Sequence, residues 1–143
     1  MAELITIWQN PDAPTSKFFA SVCMYRLSKV LDRKHFEPVM DGHLDLNDPA
    51  SQQADLVVYD KHKLYRCVML IHFTGEMITK TLIQGVVSQL QKYKIEEAFL
   101  YDLSNGDWLK VKADGSIIQN NYSESILTSL QDVLMVGLDS YRA

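Results

Sequence analysis

Two polar side chains in the middle of the chain are of types that take part in metal binding or proton transfer. Asp55 lies at the start of the apolar run 54-ADLVVY-59, and His72 lies within a second run, 68-VMLIHF-73. A carboxylate is a ligand for a hard cation such as Mg²⁺, whereas an imidazole accepts a proton or binds a softer ion. Both residues also have a purely structural interpretation, because an Asp can end a strand in a polar loop and a partly buried His usually hydrogen-bonds to the backbone.

A second pair of polar residues follows on a segment with helical periodicity. Gln89 and Tyr93 are four positions apart, which makes them neighbours on one face of a helix. Such pairs are common on helices, so this one carries little weight alone. Its significance depends on where the helix lies relative to the two apolar runs.

The elements that must position these residues follow from hydrophobic periodicity. The two apolar runs predict strands near 54–59 and 64–73 joined by a charged turn, and their continuous apolar pattern is typical of strands covered on both faces. The stretch 76–94 predicts the clearest helix of the chain, and 97–103 predicts a compact strand. Strand, helix and strand in this order predict a right-handed parallel crossover.

The remaining segments predict one layered domain over residues 1–143. Before the first apolar run we expect a short strand or arm at 2–8, and then a helix that is capped by Thr15 or Ser16 and ends near Asp32. A strand at 36–46 should follow, with a kink or hairpin turn at Asp41-Gly42. After residue 103 we expect strands at 108–112 and 117–118 and a final helix from Ser123. The predicted fold is an α/β sandwich with a mixed central sheet flanked by helices, in the order α-β-β-β-α-β-β-α.

The order of elements and three local patterns resemble the restriction-endonuclease-like, or PD-(D/E)XK, superfamily. Asp55, preceded by Ala rather than Pro, looks like the Asp on the first active-site strand of that family. Residues 68–73 are similar to the next strand, which usually carries apolar-Glu-apolar-Lys. Gln89 and Tyr93 resemble the Gln-x-x-x-Tyr helix motif of the RecB-like and type I restriction branches. Together the matches extend over roughly residues 15–112.

The resemblance implies a nuclease with a divalent ion, usually Mg²⁺, held between the Asp and the Glu, and a Lys that orients or activates the attacking water. Asp55 would be the first metal ligand, but Leu70 stands where the Glu belongs and cannot bind a metal. His72 stands where the Lys belongs and is not a permanent cation. A relocated acid could replace the Glu, and Glu76 is the nearest in sequence. Further candidates are the acids that precede the hairpin, Asp41, Asp45 and Asp48.

The formal net charge of −4 argues against a protein that binds nucleic acid over a large surface, because such binding neutralises phosphates with Lys and Arg. A local basic surface is still compatible with this charge. Arg26, Lys29 and Arg33 recur at helical spacing on the first helix, and the turn 60-DKHK-63 is also basic. Both features equally fit ordinary solvated surfaces.

Other patterns exclude several classes of function. The chain has no glycine-rich phosphate loop, no nucleophile elbow and no dinucleotide fingerprint, which sets those enzyme classes aside. Its four histidines lack zinc spacing, so a zinc site is not expected. No apolar run approaches the roughly 20 residues that span a bilayer, and the N-terminus lacks the pattern of a secretion signal, so we expect a cytoplasmic protein without a membrane partner. Cys23 and Cys67 fall at apolar positions and are expected to be buried free thiols.

Three hypotheses for function follow. The first is a degenerate nuclease-like domain that is catalytically impaired and acts as a module for binding DNA or RNA or for assembly. The second is an active Mg²⁺-dependent nuclease that uses Asp55, a relocated acid such as Glu76, and His72 in the role of the lysine. The third is a non-enzymatic interaction domain that forms a homodimer through the final helix.

Overall fold

The computed structural model describes residues 15–75 and 77–135, and its helices and strands alternate largely as the periodicity predicts. The helices are α1 (Thr15–Val30), α2 (Lys80–Tyr93) and α3 (Leu130–Met135). The strands are β1 (Phe36–His43), β2 (Gln53–Asp60), β3 (Arg66–Thr74), β4 (Glu97–Asp102), β5 (Trp108–Lys112), β6 (Ile117–Ile118), β7 (Tyr122–Ser123) and β8 (Thr128–Ser129). A 3₁₀ turn at Lys61–Lys63 joins β2 to β3.

Six of the strands form one mixed sheet in the order β1-β2-β3-β4-β5-β6. β3 and β4 are parallel, and the other neighbouring pairs in this sheet are antiparallel. A parallel pair requires a long crossover connection, which the amphipathic α2 supplies. The predicted α/β sandwich with a mixed sheet is therefore confirmed.

The sheet separates two hydrophobic cores. α1 and α3 cover one face, on which Leu56 and Ile71 are buried. α2 covers the other face, on which Val57 and Leu70 are buried. Side chains alternate between the two faces along a strand, so the residue two positions after Leu70, which is His72, lies on the α2 face. Asp55 lies between Ala54, which is buried on the α2 face, and Leu56, which is buried on the α1 face.

The segment predicted as the start of the final helix has a different structure, so that prediction was wrong. Residues 122–129 form a two-stranded antiparallel ribbon in which Tyr122 pairs with Ser129, and α3 begins at Leu130. Leu127 has a left-handed backbone with φ 53°, which no α-helix can contain. Ile126 and Leu130 share helical spacing, but the ribbon and α3 bury both of them in the core beneath α1.

The start of the crossover helix also differs from the prediction. α2 begins at Lys80, behind Thr79 as its N-cap, and so starts later than the apolar periodicity indicated. β1 continues through Asp41-Gly42 to His43, so of the predicted kink or hairpin turn the kink is confirmed. Asp41 has φ 51° and, like Asp55 opposite it, has no ladder pair, while the register between β1 and β2 is the same on both sides of it.

A buried ion pair links β4, β5 and the ribbon. Lys110 Nζ lies 3.5 Å from Glu97 Oε2, and both side chains are almost fully buried. The Ser123 hydroxyl and the Ser125 backbone N–H both donate to Glu97 Oε1. Because these donors come from the ribbon, the ion pair helps to anchor residues 122–129 on the sheet.

Some predicted features cannot be placed. The arm at 2–8, Glu76 and the residues of the final helix beyond Met135 lie outside the described residues. Among the residues that are described, no helix is both long enough and apolar enough to cross a membrane.

Candidate active site and a neighbouring basic cleft

Asp55 lies near the start of β2 and is half-buried. Its Oδ2 accepts a hydrogen bond from the backbone N–H of Phe73 in β3, at 2.8 Å. Leu56 pairs with Ile71, so the next step along the two strands places Asp55 beside His72. The structure thus brings these two predicted site residues together.

Leu70 occupies the position at which the family resemblance calls for a second carboxylate. It pairs with Val57 across the β2–β3 ladder, has no exposed surface, and belongs to the core beneath α2. A leucine offers no oxygen to a metal ion, and Mg²⁺ binds through several oxygen ligands. The described residues at this point of the fold therefore do not fit a magnesium ion held between two carboxylates.

The His72 side chain contacts α2. Its Nε2 lies 3.1 Å from Oε1 of Gln89, and both side chains are half-buried. An amide oxygen only accepts, so in this arrangement Nε2 carries the hydrogen and donates it. His72 is therefore a hydrogen-bond donor toward the helix.

Tyr93 lies one helical turn beyond Gln89 and has a different partner. Its hydroxyl oxygen accepts a hydrogen bond from the backbone N–H of Gln52, at 3.2 Å, in the loop between β1 and β2. Gln89 and Tyr93 thus connect α2 to two separate parts of the same face, β3 and the β1–β2 loop. The two residues of the motif therefore attach α2 both to β3 and to the β1–β2 loop.

The acids considered as replacements for the missing carboxylate have other partners. Asp41 Oδ2 lies 3.1 Å from Nζ of Lys17, on the α1 side of the sheet. Asp45 and Asp48 each accept a backbone N–H two residues further along the β1–β2 loop. Over residues 15–75 and 77–135, Asp55 belongs to no group of three His, Cys, Asp or Glu side chains able to share a metal ion. The position of Glu76 is outside this comparison.

The core beneath this face is dry. Burial raises the pKa of the Cys67 thiol to about 12. Burial, assisted by the neighbouring Cys67, also raises the pKa of Tyr59 to about 12, and the Tyr59 hydroxyl donates to the backbone carbonyl of His43 at 2.6 Å. A carboxylate in place of Leu70 would be buried here without a partner, and burying an unpaired charge is costly.

A basic cleft of about 330 Å³ opens on the α2 side, between the loop after β1, the start of β3 and the C-terminal end of α2. Four cationic residues line it: Lys63, Arg66, Lys92 and Lys94. Tyr65 and Tyr93 also line the cleft, and Asp45 is the acid in its wall. Tyr93 links the cleft to the candidate active site, because it lies one turn from Gln89 on the same helix.

The cleft has no signature in the sequence because its cations come from two distant segments, the β2–β3 hairpin and the C-terminal end of α2. The basic turn at 60–63 supplies a single wall residue, Lys63. Leu64 and Tyr65, which follow, both have left-handed backbones with φ 56° and 60°. Such conformations are uncommon for residues other than glycine, and two in succession reverse the chain sharply. No simple residue pattern signals this turn.

Comparison with known proteins yields a likeness in structure without a likeness in sequence. No family model matches the chain, and no curated protein matches it. A crystal structure from Anabaena variabilis ATCC 29413, described as a "putative nuclease belonging to DUF820", is similar to the chain with a TM-score of 0.57 and 11% sequence identity. The similarity covers 81% of this chain and 78% of that one. It shows a shared fold, and the expected restriction-endonuclease-like sandwich is confirmed at this level.

Proposed function

We propose that this chain is a nuclease-like domain that binds nucleic acid but does not cleave it by the two-carboxylate metal mechanism. The observation that carries the proposal is the complete burial of Leu70 at the place of the second metal ligand. A metal ion beside Asp55 would meet one carboxylate that already accepts a backbone hydrogen bond. Its other neighbours on β3 would be Leu70, which offers no ligand atom, and His72, whose Nε2 already contacts Gln89.

Nucleic-acid binding is supported by the basic cleft. Phosphates are bound by clustered Lys and Arg, and exposed aromatic rings can stack on bases. The cleft offers four cations against one acid in its wall, and the exposed ring of Tyr65 lies among them. Lys63 also lies 3.6 Å from Glu96, and this exposed carboxylate partly offsets the positive potential at that side of the cleft.

The basic residues in α1 and in the segment just after it make a weaker candidate for the same role. Arg33 donates two hydrogen bonds to the carboxylate of Glu37. Lys29 lies over the ring of Tyr25, with Nζ 4.9 Å from the ring centre. Contacts of the same kind exist in the cleft, where Arg66 donates to the Lys94 carbonyl and Lys92 lies over the ring of Tyr93. The cleft is the stronger candidate because its four cations line one concave space.

A binding experiment can separate the two surfaces. Fluorescence anisotropy with labelled single-stranded and duplex DNA and RNA should show binding that weakens with salt. Lys63→Gln with Lys92→Gln should weaken it several-fold and lower the salt slope by about 1 to 2, because two phosphate contacts are lost. Arg26→Gln with Lys29→Gln changes the net charge equally and serves as the control. Equal effects of the two pairs, or no binding at low salt, would contradict the proposal.

A cleavage experiment addresses the alternative, an active nuclease with a relocated carboxylate. Linear, supercoiled and single-stranded DNA and RNA should stay intact with Mg²⁺ or Mn²⁺ under the conditions that support binding. Cleavage that is abolished both by Asp55→Ala and by Glu76→Ala would overturn the impaired-site proposal in favour of that alternative. Cleavage that survives Asp55→Ala would identify a contaminating enzyme and leave the chain itself inactive.

A further inference from the structure

A second cluster of potential metal ligands lies at the other end of β2 from Asp55. His35, Asp60 and His62 each place a ligand atom within 4.8 Å of the others. Asp60 is five positions beyond Asp55 on the same strand, so about 17 Å separates the two carboxylate-bearing residues along the strand. The two regions are therefore distinct, and the cluster plays no part in the proposed nuclease-like site.

The geometry points to a binding site for a divalent transition metal of the zinc class at His35, Asp60 and His62. Two imidazoles and one carboxylate form a donor set that Zn²⁺ accepts, with a fourth position left for water, whereas Mg²⁺ prefers oxygen ligands alone. This inference is independent of the proposed nucleic-acid binding.

The backbone holds the three residues together. Lys61 N–H donates to the His35 carbonyl at 2.7 Å, and Phe36 pairs with Asp60 at the end of the β1–β2 ladder. Asp60 also caps the 3₁₀ turn, because its Oδ1 accepts the backbone N–H of His62 at 2.9 Å. Asp60 is 4% exposed, so its carboxylate has a fixed position and little water around it.

The side-chain distances are close to those that a metal needs. His35 Nε2 lies 3.0 Å from Asp60 Oδ1, and two ligands of a tetrahedral zinc ion are about 3.4 Å apart. The rings of His35 and His62 are stacked, with centres 4.0 Å apart and planes 14° from parallel. Their nitrogens must therefore converge on binding. His62 is exposed and can tilt, whereas His35 also stacks on Phe36 at 3.9 Å.

The surrounding charges do not prevent a cation from entering. Lys61 Nζ donates to the Arg33 carbonyl and lies 3.4 Å from Glu37. Arg33 binds the same Glu37 carboxylate at 2.8 Å. These two cations next to the cluster are thus paired with an acid. A bound metal would connect the segment after α1 to the β2–β3 turn, and it should therefore stabilise the fold.

Titration of the chelator-treated full chain with Zn²⁺ in a calorimeter, and with Co²⁺ in a spectrophotometer, tests the site. We expect one ion per chain, a rise in Tm, and the visible absorption of four-coordinate cobalt. His62→Gln should weaken binding at least about tenfold, since it removes a ligand. It should lower the metal-free Tm only slightly, because His62 is exposed and loses only its stack on His35.

His43→Gln is the matched control, because His43 is a half-buried histidine outside the cluster whose Nδ1 lies 3.0 Å from the Ser51 carbonyl oxygen. It should leave the affinity for Zn²⁺ and the cobalt spectrum unchanged. The inference is overturned if the wild-type chain binds neither ion, or if His62→Gln binds both ions as tightly as wild type.

Discussion

Asp55 in β2 accepts the backbone N–H of Phe73 in β3, at 2.8 Å, through one oxygen of the carboxylate that the family resemblance assigns to a metal. The bond lies just beyond the last ladder pair at this end of the two strands, Leu56 with Ile71. A backbone donor that would otherwise lie unpaired between strands is satisfied by a side chain. The most nuclease-like residue of the chain therefore has a structural role of its own.

Replacing Asp55 should destabilise the fold. Asp55→Ala leaves the Phe73 N–H without its partner, and we expect a loss of about 1–3 kcal/mol in the free energy of unfolding, measured by urea denaturation. Asp55→Asn keeps an acceptor oxygen and should cost less. Asp41→Ala removes an exposed pair with Lys17 and should change stability by less than about 1 kcal/mol. Equal stability of Asp55→Ala and wild type would refute the structural role.

The contact between His72 and Gln89 should appear as an energetic coupling between β3 and α2. A double-mutant cycle with His72→Ala and Gln89→Ala should give a coupling of about 0.5–1.5 kcal/mol, because each single change breaks the same hydrogen bond. Pairing His72→Ala with Gln91→Ala provides the reference. Gln91 donates to the Ala113 carbonyl, away from His72, so that cycle should show little coupling. Additive effects in both cycles would show that the hydrogen bond between His72 and Gln89 does not contribute to stability.

The buried ion pair of Glu97 and Lys110 predicts a strong asymmetry between two lysines of β5. Lys110→Met removes the cation next to a buried carboxylate and should cost about 3–5 kcal/mol, because Glu97 is left charged without its partner. Lys112→Met, two positions further along, loses only a partly exposed contact with Glu124 at 3.7 Å and should cost less than about 1 kcal/mol. Thermal unfolding of the two variants measures the difference. Similar losses would indicate that burial at Lys110 does not matter.

The two cysteines predict a loss of stability at alkaline pH. Burial raises the pKa of both Cys23 and Cys67 from 9.0 to about 12. The folded chain therefore holds these protons between pH 9 and 12 while the unfolded chain releases them, so the thiol contribution is complete below pH 9 and is lost as pH rises to 12. The difference in the free energy of unfolding between wild type and Cys67→Ala should therefore decrease as pH rises from 9 to 12, as measured by unfolding curves at each pH.

The same burial predicts inert thiols. A thiol reagent at neutral pH should react with neither cysteine of the folded chain and with both after denaturation, since the reactive species is the exposed thiolate. Rapid reaction of one thiol in the folded chain would show that its surroundings open readily.

The order of elements from α1 to β5 could be predicted because each hydrophobic pattern there matches a local period. The β2 and β3 runs are continuous because both faces of these strands are covered, and the stripe of α2 faces only the sheet. The segment around Leu127 could not be predicted in this way. Its apolar residues have helical spacing, yet the buried carboxylate of Glu97 binds Ser123 and Ser125 and favours a ribbon at that point.

The sequence by itself determined which chemical groups are present: one aspartate on the first hairpin strand, a leucine and a histidine on the second, and a Gln-x-x-x-Tyr pair on the crossover helix. These identities were sufficient to predict an incomplete metal centre. Tertiary structure alone decided that Gln89 binds His72, that four cations from separate segments form one cleft, and that His35 meets Asp60 and His62. The physical reason is that residue type sets what a side chain can bind. Which side chains meet depends on strand register and on backbone turns, which act between distant segments and leave no local pattern.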